Sequence, residues 1–135
     1  MSDEIVGASS DPLNRVRVTD ARDYKDASGL FAKKILTTTS EIEIYRNFIT
    51  AEFSELNFNI ANSSVNDTVF ITLWASQNKL PSLVDLIEPT IKLEPGAVYT
   101  RTFFRLGTNE AIFAKSTIAN IVVIRIDGSD YRPKR

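Results

Sequence analysis

A chain of 135 residues, 43% hydrophobic and 24% charged, is long enough to bury one core without metal or disulfide staples. It contains neither cysteine nor histidine, which removes disulfides, thiol nucleophiles, the commonest metal ligand and the commonest general base at neutral pH. A formal net charge of -1 gives no global attraction to nucleic acid or anionic lipid, so nucleic acid is not an expected partner.

Residues 1–29 are rich in Asp, Ser and Ala and carry one brief apolar alternation, at Val16 and Val18. They read as an arm, with a short strand fitting residues 15–19. Ile5, Val6, Leu13, Val16 and Val18 offer too little apolar surface to fold alone but enough to dock on a neighbouring subunit. The start is acidic and lacks the basic residues and apolar run of a signal peptide, and no later segment approaches the length of a membrane span. Synthesis in the host cytoplasm, without a membrane partner, is the expectation.

From residue 30 to residue 128 the hydrophobic period is two. "FAKKILTTT" and "EIEIYRNF" are candidate strands, the second with Ile42 and Ile44 opposite Glu41, Glu43 and Tyr45. In "ELNFNIA", Leu56, Phe58 and Ile60 alternate with Glu55, Asn57 and Asn59. "NSSVND" supplies turn residues and "DTVFITLWAS" follows, so the pair predicts a hairpin. In "NKLPSLVDLIEP", Ser82 and Asp85 stand at capping-box spacing and Pro89 ends a single helical turn, with Leu83, Leu86 and Ile87 expected on the core. Then come "TIKLE", a "PG" turn, "AVYTRTFFRL", a "GTNE" turn, "AIFAKS" and "NIVVIRIDG". This pattern predicts an all-β fold: an antiparallel β-sandwich, jelly-roll or immunoglobulin-like, of about seven or eight strands with one short helical crossover loop. Residues 129–135 read as a basic tail.

The chemistry is sparse. Glu41 and Glu43 share a strand face, where solvation explains them better than acid–base catalysis. "DGSD", residues 127–130, lacks the further ligands of a calcium loop and reads as a turn. Asn62 and Asn66 match the glycosylation acceptor pattern, yet turn chemistry accounts for both. No catalytic residue, cofactor site or metal site is predicted. Trp74 and Tyr99 are the candidates for stacking on a ligand. Arg101, Phe103 and Arg105 occupy alternate positions, so strict alternation puts them on one face, opposite Thr102, Phe104 and Leu106. Phenylalanine and arginine are enriched at protein interfaces, which makes this trio a candidate interface.

Several strands are apolar on both faces. Val69, Ile71 and Leu73 oppose Phe70 and Trp74, and Val122, Ile124 and Ile126 oppose Ile121 and Val123. A two-layer sandwich needs one buried face per sheet. The second faces therefore need a cover, either the arm and crossover loop or another subunit.

The order "IANSS", "FITLWAS", "LIEP", "KLEPGAVYTRTFF", "NEAIFAKS", "IVVIRIDG" along residues 56–128 resembles small virion structural proteins of tailed bacteriophages. The resemblance implies a non-enzymatic subunit of the head, neck or tail, located in the virion. Its partners would be symmetric copies of itself and other virion structural proteins. The aromatic set supports a different expectation, a β-sandwich module that binds a carbohydrate or a host receptor.

Overall fold

The computed structural model describes residues 23–47 and 52–133. Ile5, Val6, Leu13, Val16 and Val18 of the expected arm, and the strand expected at residues 15–19, lie outside the described residues. Among the described residues eight strands run in chain order: β1 (Asp23–Ile35), β2 (Ile42–Arg46), β3 (Phe53–Asn62), β4 (Val69–Ser76), β5 (Leu86–Leu93), β6 (Val98–Gly107), β7 (Ala111–Ser116) and β8 (Val122–Pro133). They form two antiparallel sheets, a first of order β1-β8-β3-β6 and a second of order β2-β7-β4-β5. Among these described strands, only β4 and β5 are consecutive within one sheet; every other consecutive pair is divided between the two. This double Greek-key order is a jelly roll.

The alternation read from the sequence is the origin of the core. Leu56, Phe58 and Ile60 of β3 and Val122, Ile124 and Ile126 of β8 line the inner side of the first sheet, all buried. Val69, Ile71 and Leu73 of β4, with Ile112 and Ala114 of β7, face them from the second. Each such large aliphatic side chain contributes about 1.5–3 kcal/mol by leaving water.

The expected β3–β4 hairpin does not form, because β3 pairs with β6 and β8 while β4 pairs with β5 and β7. The reason lies in Asn62, which is 2% exposed. Its Nδ2 donates to the carbonyls of Asp67 (2.8 Å), Leu93 (3.0 Å) and Glu94 (3.2 Å), and its Oδ1 accepts from Ser64 N at 3.0 Å. The side chain fastens a sheet-to-sheet crossing, and its burial leaves no room for a glycan on the folded chain.

The crossover turn is a single 3-10 turn, Leu83–Asp85. The Asp85 carboxylate accepts from Ser82 N at 2.9 Å and from Ser82 Oγ at 3.2 Å, and the backbone bond foremost holds its carboxyl below the usual range. Of the residues expected on the core, Leu83 is 82% exposed, whereas Ile87 does pack there. Pro89 lies inside β5, an edge strand, within the irregular stretch of its pairing with β4, where a proline is tolerated.

Both ends of the sandwich extend further than expected. β1 begins at Asp23 and β8 runs to Pro133, with Ser28 opposite Ser129 and Gly29 opposite Gly128. The arm boundary at residue 29 and the tail from residue 129 therefore fall within paired strand. Residues 127–130 are strand as well, not a turn. Gly128 is there because β3 passes close by: a Cβ on it would lie 2.0 Å from the Glu55 carbonyl oxygen.

Candidate ligand-binding face

The outward face of the first sheet is shaped by a bulge in β6. Phe104 stands opposite Leu56 and Arg101 opposite Phe58, so Thr102 and Phe103 together oppose Asn57. One extra residue reverses the alternation. Tyr99 and Arg101 face the gap between the sheets on one side of the bulge, and Phe104 and Leu106 on the other. The Arg101 guanidinium accordingly lies 5.3 Å from the Phe104 ring. Arg101, Phe103 and Arg105 thus do not share a face, contrary to strict alternation. Arg101 Nη1 and Tyr99 Oη both donate to Glu88 Oε2, at 2.9 and 3.0 Å, closing the β5–β6 edge. Burial, then the bond to Glu88, holds the Tyr99 hydroxyl above its ordinary pKa.

Phe103 and Arg105 do turn outward. The Arg105 guanidinium lies 4.0 Å from the Phe53 ring, which stacks on Tyr131 at 4.9 Å. Phe103 adopts φ 59°, a left-handed conformation costly for a bulky residue, and its side chain is 78% exposed. Its N–H donates to Asn57 Oδ1 at 3.2 Å. Trp74 and Tyr99 are not brought together. Trp74 is half-buried on the outer side of the second sheet, opposite Phe113 and Leu86, whereas Tyr99 points into the gap from the first.

Register then sorts the outer face of the first sheet into rows across its strands. One row is apolar: Ile35, Val123, Ala61 and Val98 are direct cross-strand neighbours on β1, β8, β3 and β6, and Ile35 and Val98 are each 53% exposed. A second row runs from Leu30 to Asp127 to Asn57 and ends beside Phe103. Between the two rows lies Arg125, opposite Lys33 and Asn59. Around the second row is an open depression of about 320 Å³, floored by the facing Gly29 and Gly128 and walled by Leu30, Asn57, Arg125, Asp127 and Ser129. Asn57 Nδ2 donates to Asp127 Oδ1 at 3.1 Å, and Arg125 Nε lies 3.9 Å from Asp127 Oδ2. In the sequence Asn57 was legible only as a wet strand position, and Asp127 only as part of a turn.

The second sheet is different. Phe113 points away from the core between Glu43 and Trp74, yet is 2% exposed. Beside it, Arg46 donates to the carbonyls of Asn109 (2.9 Å), Asn78 (3.0 Å) and Gln77 (3.2 Å), and pairs with Glu43 Oε1 at 2.7 Å. These bonds tie the loop after β4 and the turn before β7 to this face.

No protein-family model matches the chain, and no curated protein matches it. Among solved structures it is similar to a cleaved adhesin domain of Lys-gingipain from Porphyromonas gingivalis, with a TM-score of 0.37 and 13% sequence identity. That alignment covers 70% of this chain and 63% of the adhesin domain's length.

Proposed function

We propose that the chain is a non-enzymatic structural subunit of a tailed-phage virion, joined to neighbouring copies of itself through an apolar row at one end of the outer face of the first sheet. The observation that carries this reading is the apolar row of Ile35, Val123, Ala61 and Val98. It crosses all four strands of the sheet, about 14 Å at the usual strand spacing. Isolated surface aliphatics need no explanation, but a contiguous apolar line on an outward sheet face marks a contact surface. The particle itself is suggested by the motif order along residues 56–128, and the chain's lack of His and Cys is in keeping with an architectural role.

Mass spectrometry of purified particles tests the proposal. The intact protein should be a virion component, while the Ile35→Ser/Val98→Ser double variant should fold as a soluble protein and be missing from particles. Absence of the intact protein from virions would overturn the reading.

A further inference from the structure

We propose that the depression between β1, β8 and β3 binds one neutral sugar unit of a glycan, with Phe103 as the stacking wall at its rim. A sugar ring presents hydroxyls around its edge and C–H bonds on its faces, so its site needs converging donors and acceptors beside an apolar plane. The depression supplies the polar groups, and Phe103, bonded through its N–H to Asn57 of the lining, supplies an exposed ring next to it. Asn57 is fixed from two sides, accepting from Phe103 N and donating to Asp127, so it holds the carboxylate in one orientation for ligand hydroxyls. Arg125 lies 3.9 Å from that carboxylate and retains donors for a ligand, as does the Ser129 hydroxyl.

Charge selects the ligand class. Arg125 and Asp127, the two charged residues of the lining, offset one another, so the lining itself favours neither an anion nor a cation. A volume of about 320 Å³ stands at the small end of ligand sites and suits one ring. Gly29 keeps its part of the floor clear, because a Cβ there would meet nothing within 4 Å. Phe103 supplies the independent argument. A left-handed backbone beneath a 78% exposed aromatic ring costs the fold twice and gains it no packing, which is how strain retained for recognition looks. The inference goes beyond the assembly reading and does not depend on it, since the apolar row and the depression are separate parts of the face.

The test is a glycan array bearing neutral hexose- and N-acetylhexosamine-terminated oligosaccharides, probed with the full chain. At least one should be retained. Phe103→Gly removes the ring while relaxing the backbone, and Asp127→Asn removes the charged acceptor; each should weaken retention about tenfold. Ile35→Ser, on the apolar row, should leave it unchanged. In a nuclear magnetic resonance titration with the retained oligosaccharide, the amides of Asn57, Gly128 and Ser129 should shift. No retention of any neutral oligosaccharide, retention only of sialylated or sulfated ones, or retention indifferent to both substitutions would each overturn the proposal.

Discussion

The two sheets face outward in opposite ways. On the second, Phe113 is an outward side chain that the chain covers for itself, with Trp74 beside it and the loops drawn in by Arg46. On the first, Ile35, Val98, Leu30 and Phe103 stand exposed. Apolar residues on both alternations of a strand therefore have two distinct meanings in one molecule. Where a loop can be pinned across the sheet they extend the interior; where none is pinned they remain as surface.

The largest expected effect breaks the covered side. Phe113→Ala should cost about 3–5 kcal/mol in denaturant unfolding, as for a core phenylalanine. A loss within the surface range of about 0.5 kcal/mol would show that this face is not interior at all. Arg46→Ala should follow at about 2–3 kcal/mol, because it unpairs Glu43 and frees three carbonyls from one charged donor. Arg46→Lys should recover little of this, since one ammonium cannot reproduce the planar fork.

The boundary between the faces, at the β5–β6 edge, offers a smaller and pH-dependent effect. Tyr99→Phe should cost about 1 kcal/mol by removing the bond to Glu88. The folded state holds the Tyr99 proton more tightly than the unfolded chain does, so the associated stability is complete below pH 10.0 and is lost as pH rises through the elevated pKa. Urea unfolding across alkaline pH should show Tyr99→Phe losing less stability there than the parent. The smallest effect belongs to the open side, where Ile35→Ser and Val98→Ser should each change unfolding free energy by about 0.5 kcal/mol or less. A core-sized loss at either position would erase the contrast.

How far the sequence carries can be judged residue by residue. The alternations of Leu56, Phe58, Ile60 and of Val122, Ile124, Ile126 are local, and the buried face follows from them directly. Pairing is not local. Whether β3 turns back onto β4 or crosses to leave it in the other sheet depends on carbonyls that meet Asn62 from β5, thirty-odd residues on. The bulge at Thr102 and Phe103 has no glycine or asparagine to mark it, so Arg101 and Arg105 kept the same parity in sequence while taking different faces in space. The depression was hidden for a related reason. Gly29, Asn57 and Asp127 each have an ordinary local explanation, and only the β1-β8-β3 register puts them side by side.

The position of β8 bears on how the protein is made. It is the last of the eight strands to be synthesised, yet it lies between β1 and β3 rather than at a sheet edge. At about 5–20 residues per second, roughly 5–20 s separate translation of β1 from that of β8. Throughout that interval β1 has no neighbour in its sheet and β3 lacks one, so backbone donors and acceptors of both strands are open to wrong partners. The inner faces of Leu56, Phe58 and Ile60 likewise wait for Val122, Ile124 and Ile126. Nascent chains therefore need protection until β8 emerges from the ribosome, and a product ending before Val122 would be an aggregation hazard rather than a smaller domain.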